Sequence, residues 1–156
     1  NRLDILSRIK KYNVHFFGRL GDLPQNIKLP NNFFLHQQID YYTEAPKIYN
    51  KSKINICLTA EQLITGVSQR AFDIPAANGF LLHDYREDIF NIFGDSAIVF
   101  KTAQELNELI DFYMANESKR FDYIKYTNSI ISSQHTYCQR FNEIIDVLEN
   151  KYAYYN

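Results

Sequence analysis

The chain has 156 residues, of which 46% are hydrophobic and 22% charged, and its net charge is −1. That composition fits one ordinary globular domain with a real core. Its lysines and arginines are scattered among acids, so no basic stripe supports nucleic-acid binding, and no apolar run is long enough to cross a bilayer.

From the start, Arg2 to Lys11 carries apolar residues at Leu3, Ile5, Leu6 and Ile9, the spacing of a helix with one buried face. Val14–Phe17 reads as a strand ending at Gly18-Arg19. Leu20–Asn32 holds Gly21, Pro24, Pro30 and several Asn and reads as loop, while Phe33–Asp40 is ambiguous. Thr43 can cap a helix with Glu44 and Pro46 in its first turn, reaching about Ser52. Ile54–Thr59 is the next predicted strand, and a polar loop follows.

Gly66–Asp84 (GVSQRAFDIPAANGFLLHD) is the most informative stretch. Gly66 suits a turn and the Ser68 hydroxyl suits a helix cap. The short segment Gln69–Asn78 ends at Asn78-Gly79, and Gly79–Leu82 reads as a brief buried strand. A helix start presents free N–H groups to a phosphate; Arg70 can add a bidentate charge, and Asp73, one turn on, can accept from sugar hydroxyls. The alternative is an ordinary crossover helix with a solvated Arg and Asp.

Beyond it, Glu87–Phe93 reads as a short helix, whose Glu87/Asp88 pair merely suits the dipole at a helix start, and Ala97–Phe100 as a strand. Thr102-Ala-Gln-Glu105 is a capping box heading a helix to about Asn116. Ser118–Ser132 and Tyr137–Lys151 read as two more helices. Short apolar strands alternating with helices predict an α/β fold: a Rossmann-like parallel sheet with helices on both faces, closed by C-terminal helices. Ligands of such sheets sit at the carboxyl ends of the strands. Four loops are therefore expected to converge: after Phe17 (Gly18, Arg19), after Thr59, at Gly66–Ser68, and after Leu82 (His83, Asp84, Tyr85).

Other chemistry finds little support. His15, His36, His83 and His135 lack metal-ligand spacing, so no metal site is expected, and there is no GxSxG elbow, P-loop or GxGxxG. His83, at a strand end, could serve as an acid–base group, though such a residue is more often on the surface. Cys57 and Cys138 lie far apart without CxxC spacing and read as reduced, mostly structural thiols of a cytosolic protein. The 12 Tyr and 12 Phe are mostly spaced as core residues, and without a basic groove they give base stacking little support.

The order and spacing of several short motifs resemble a known family. They are Tyr49, Ser52, Ile54 and Leu58; then Arg70, Phe72, Asp73, Ala76, Gly79, Leu81 and Leu82; then Phe100, Glu105, Leu106, Ile110 and Tyr113; and finally His135-Thr136-Tyr137 with Arg140. Together these resemble the C-terminal domain of GT-B glycosyltransferases, more narrowly the CgeB-like branch of group 1, over about Arg2 to Arg140. The resemblance implies the half that binds a nucleotide-sugar donor, in a bacterial enzyme building a surface glycan. Asp73 would contact ribose or sugar. Arg70 and the backbone of Gly66, Val67 and Ser68 would face the diphosphate, with Arg19 a further polar anchor of the cleft. The Tyr41–Thr43 loop, and within it Tyr42, would lie at the base. It implies no cofactor and no bound metal, since helix dipole and cationic side chains serve the leaving diphosphate. The His135–Arg140 motif is read as structural.

The chain departs from the pattern in having Asp rather than Glu at position 73. It also opens on a helix, which predicts a fragment of a longer two-domain protein. The N-terminal domain would bind the acceptor (glycan, lipid or protein) and supply any catalytic base, so the fragment is expected to bind donor without turnover. The expected setting is the cytoplasm or the inner face of the membrane. Tyr152, Tyr154 and Tyr155 are candidates for contact with the other half. A non-catalytic GT-B-like binding or assembly module is the alternative. A receiver-type domain ranks last, lacking an acidic cluster after the first strand.

Overall fold

Five short strands, all paired in parallel, carry the architecture of this computed structural model, which describes residues 2–23, 28–60, 62–63 and 65–152. In β1 (Val14–Phe17) and β2 (Phe33–His36), Val14 pairs with Phe33 and Phe17 with His36. In the second ladder, β3 (Asn55–Cys57) and β5 (Val99–Phe100) flank β4 (Leu81–Asp84). Helices cover the strands, as the alternating pattern predicts. Where one sheet was expected, two ladders are present, and none joins β1 to β3 among the described residues. Val14 of β1 nevertheless packs on the same core cluster as Ile54 and Ile56 beside β3.

Alternation along β3 and β4 divides the interior in two. Leu58, Phe80 and Leu82 point to one layer, with Ile9, Phe100, Leu106, Ile110 and Tyr123. Cys57 and Leu81 point to the other, with Ala71, Ile74, Ile89, Phe93 and Ile131. The first layer is covered by α1 (Arg2–Ser7) and α5 (Ala103–Ala115), the second by α3 (Arg70–Ala76) and α4 (Ile89–Phe93). The long α6 (Glu117–Gln134) supplies Tyr123 to one and Ile131 to the other. Each large apolar side chain so buried contributes about 1.5–3 kcal/mol. α2 (Ala45–Lys51) precedes β3, and α7 (Tyr137–Tyr152) ends the description. The contact expected of Tyr152, Tyr154 and Tyr155 concerns side chains outside the described residues.

Local chemistry explains where several boundaries fall. α1 ends early because Arg8 and Ile9 donate to Ile5 and Leu6, tight three-residue turns that drop Ile9 into the core. The capping box at α5 is present: the Glu105 N–H donates to Thr102 Oγ1 at 3.1 Å, and Glu105 Oε2 accepts from the Lys101 N–H at 2.7 Å. A second box lies unread in the sequence at Thr136–Gln139, where Gln139 Oε1 accepts from the Thr136 N–H at 2.7 Å. Thr43 does not cap α2. Instead Asp40 Oδ1 accepts from the N–H groups of Tyr42 and Thr43 and from the Thr43 hydroxyl, while Glu44 returns a bond to the Asp40 N–H.

The Asn78-Gly79 stop works through a division of labour. Asn78 takes the left-handed conformation, with φ 57°. The Gly79 N–H reaches back to the Ile74 carbonyl at 2.8 Å, closing the helix end. Gly79 is needed for room: a Cβ there would stand 2.8 Å from the Tyr49 carbonyl oxygen and 2.9 Å from Asn55 Nδ2. The last carbonyls of α3 are covered from outside, since Asn128 Nδ2 donates to Pro75 at 2.9 Å and Asn50 Nδ2 to Ala77 at 3.2 Å.

Candidate functional site

β3 delivers the chain at its carboxyl end to the loop before α3, and two residues of that helix face a neighbour across the fold. Arg70 Nη2 donates to the Leu58 carbonyl at 3.1 Å, which fastens the start of α3 to the end of β3. One turn on, the Asp73 carboxylate accepts a hydrogen bond from the Tyr41 hydroxyl. Asp73 is half-buried, and that burial holds its carboxyl above the usual carboxylate range. The contact brings the Tyr41–Thr43 loop to α3. It is Tyr41 that reaches the acid; Tyr42 is 84% exposed and meets Tyr41 edge to face at 5.5 Å. Neighbouring side chains diverge in the Asp40-anchored turn, and the sequence alone could not choose between them.

The remaining predicted residues occupy other positions on the same edge. Gly66 has φ 87°, a conformation that suits glycine, and its N–H donates to the Asp88 carboxylate. Asp88 therefore does more than suit a helix start: it ties the loop before α3 to the head of α4. Val67 packs into the layer under α3. Ser68 does not cap α3, whose N-cap is Gln69; its hydroxyl lies 3.0 Å from the Cys57 sulfur, a pairing created by β3 passing beneath the loop. Arg19 is exposed and its Nε donates to Gln38 at 3.0 Å, so among the described contacts it belongs to the β1–β2 end.

The His135–Arg140 motif has a structural part to play beside this helix. Arg140 Nη2 lies 2.5 Å from His135 Nδ1, His135 meets Phe72 edge to face at 5.7 Å, and the Tyr137 hydroxyl accepts from Gln69 Nε2 at 3.0 Å.

His83 departs most from expectation. It is fully buried rather than on the surface, because β4 continues through it and pairs it with Cys57. Its Nδ1 lies 3.1 Å from Asp84 Oδ1 and 2.6 Å from the Asp84 carbonyl. Nε2 makes no hydrogen bond of ordinary geometry among the described residues, and the neighbouring Cys57 thiol favours the charged imidazole. Burial opposes the charged imidazole, yet Asp84 and Cys57 prevail and push its pKa up to about 10. Asp84 is half-buried, which would raise its carboxyl, but His83 and Thr59 hold it below the usual range. It accepts from Thr59 N–H at 3.0 Å, from Thr59 Oγ1 at 2.8 Å and from Arg86 Nη2 at 3.2 Å. One carboxylate thus locks the ends of β3 and β4 together.

Beside this lock a cleft of about 280 Å³ opens between α1 and the ends of β3, β4 and β5. Ile5, Leu58 and Phe100 give it apolar walls; Thr59, Asp84 and Tyr85 give it polar ones. Arg2, Arg86 and Lys101 complete it. Two of the four predicted loops, after Thr59 and after Leu82, meet here, but its cations are not among the site residues the sequence suggested. The cleft adjoins the α1–α5 layer, whereas Ala71 and Ile74 of α3 pack in the other. Among the described residues no three His, Cys, Asp or Glu side chains are grouped so as to hold a metal, and no helix is long and apolar enough to cross a membrane.

A family model described as glycosyl transferase-like matches residues 2–146. No curated protein and no solved structure matches the chain.

Proposed function

The chain belongs to the glycosyl transferase-like family, and from that premise we propose that it is the donor-binding half of a GT-B, CgeB-like enzyme that takes a sugar from a nucleoside-diphosphate donor. The observation that carries this reading is the meeting of Tyr41 and Asp73, two residues of the sequence-predicted base and sugar segments, at the edge where Arg70 also stands. In this reading Asp73 accepts from a donor hydroxyl. Among the described residues its half-buried carboxylate accepts from Tyr41 and keeps oxygen lone pairs to spare. Arg70 and the Gly66–Ser68 backbone face the diphosphate, with Tyr42 and the Asp40-anchored turn beside the base and Arg19 farther out. Cationic groups and backbone N–H groups would stabilise the leaving diphosphate as the glycosidic carbon–oxygen bond breaks, with no cofactor. The acceptor, a glycan, lipid or protein, and the base that activates it belong to an N-terminal domain of the same parent chain. The setting is the cytoplasm or the inner membrane face of a bacterium, in surface-glycan synthesis.

The test is calorimetric titration of UDP, GDP, CDP, ADP and dTDP into the protein, with Asp73→Asn and Tyr41→Phe beside it. One nucleotide bound selectively, with the corresponding sugar nucleotide bound at least tenfold more weakly by Asp73→Asn than by the wild type, supports the donor site and names its base. Absence of binding by all five transfers the reading to a non-catalytic module of the same family.

A further inference from the structure

We propose that the cleft between α1 and the ends of β3, β4 and β5 is a binding site for a phosphate-ester or diphosphate group, distinct from the Arg70–Asp73 side of the sheet. Its charge is the first reason. Arg2, Arg86 and Lys101 line it against one carboxylate, Asp84, in a chain whose net charge is −1. Asp84 is occupied by Thr59, His83 and Arg86, so it offers little to Arg2 or Lys101. The surplus is about two positive charges, carried by three separate parts of the chain, which suits a polyanion better than a lone carboxylate.

The second reason is Arg86. Its Nη2 holds Asp84 at 3.2 Å, but its Nε is buried and finds no acceptor among the described residues. A buried donor left unpaired costs about 1–3 kcal/mol, and more when charged, so an oxygen-rich anion would relieve a deficit already present. The guanidinium fork matches phosphate oxygens in geometry as well as charge. Lys101 is held at the site without being neutralised: its ammonium sits 4.0 Å from the centre of the Tyr85 ring. Glu105 meanwhile fixes the Lys101 backbone N–H, so the residue leaves β5 in a set direction. Apolar walls from Leu58 and Phe100 lower the local dielectric and strengthen each contact.

Size selects within the anions. The cleft's volume of about 280 Å³ lies just under the roughly 300–1,000 Å³ of drug-sized sites. It accommodates a pyrophosphate or a phosphosugar, whereas a whole nucleotide sugar would extend beyond it. On the proposed function, which places the donor's diphosphate at Arg70, the source is a phosphorylated acceptor; the site itself stands on the cleft's charge.

The experiment titrates sodium pyrophosphate into the protein at low salt, with Arg86→Gln, Lys101→Gln and, as a surface control on α6, Lys125→Gln as variants. We expect binding that weakens at least tenfold in Arg86→Gln and Lys101→Gln and is unchanged in Lys125→Gln. No pyrophosphate binding, or binding by both cleft variants equal to that of the wild type, overturns the proposal. Lys101 is exposed, so its variant keeps the test valid if Arg86→Gln fails to fold. Two further arms test the source. Loss of UDP or GDP affinity in Lys101→Gln would make the cleft the donor's own diphosphate site and overturn its separateness, whereas a sugar 1-phosphate that binds alongside the nucleotide upholds a separate site for a phosphorylated acceptor. Pyrophosphate bound in the cleft with no nucleotide bound anywhere upholds the cleft and sinks the donor reading.

Discussion

Gly79→Ala should destabilise the protein although it adds a single methyl group at a position with ordinary backbone angles. The new Cβ would stand 2.8 Å from the Tyr49 carbonyl oxygen, 2.9 Å from Asn55 Nδ2 and 3.0 Å from Ile74 Cγ2. None of these is a free-swinging side-chain end. Tyr49 offers backbone, Ile74 is core, and Asn55 is pinned by donating to that same carbonyl at 2.9 Å and to Phe80 at 3.3 Å. Forcing a methyl into a packed interior costs about 1–3 kcal/mol, and disturbing the Asn55 bond adds about 1 kcal/mol. The loss of glycine's freedom in the unfolded chain gives back about 0.4–1 kcal/mol. A net loss on the order of 2 kcal/mol lowers the melting temperature by roughly 4–8 °C for a chain of this length. Thermal unfolding followed by circular dichroism, with urea titration at 25 °C, measures it. Asn78→Gly is the control, since Asn78 holds the left-handed conformation, and it should change stability by less than about 1 kcal/mol, toward gain. A Gly79→Ala protein as stable as the wild type would refute the steric argument, and a larger loss from Asn78→Gly would show that the two roles are reversed.

Two further outcomes follow from the buried His83. Its folded pKa, about 10, lies above the unfolded value, so its contribution is complete below about pH 6.5 and is lost as pH rises toward 10. Over that range stability should fall by up to about 1.4 kcal/mol per pH unit. Urea unfolding at half-unit pH steps, compared with His83→Gln, should show the slope in the wild type only; equal slopes would remove His83 as its source. Asp84 acts in the opposite sense: its lowered pKa supplies stability above the unfolded carboxylate range that is lost on acidification. Thiol reactivity gives a separate check, because Cys57 is buried and Cys138 exposed. A disulfide-exchange reagent should label one thiol quickly in the native protein and the second only in denaturant. Rapid labelling of both would contradict the packing of β3 under the loop that carries Ser68.

The sequence by itself determined most of the helices and strands and the parallel α/β class, while the segment that becomes β2 stayed ambiguous. These are local properties: apolar spacing, a Thr102–Glu105 cap, an Asn78-Gly79 stop. Even the limits of local reading are instructive. The apolar run predicted a strand at Gly79–Leu82, but the ladder runs Leu81–Asp84, because pairing with Cys57, Val99 and Phe100 carries it on through polar residues. Apolarity marks burial, while strand extent is set by partners. Only the tertiary structure decided that His83 is buried, that Ser68 turns to Cys57 rather than to its own helix, and that Tyr41 rather than Tyr42 meets Asp73. It alone gathered Arg2, Arg86 and Lys101 around one cleft. Each of these cations taken alone reads as an ordinary solvated charge. Their common field exists only once α1 and the ends of three strands are brought together, because Coulomb interaction depends on distance in space and not on position along the chain.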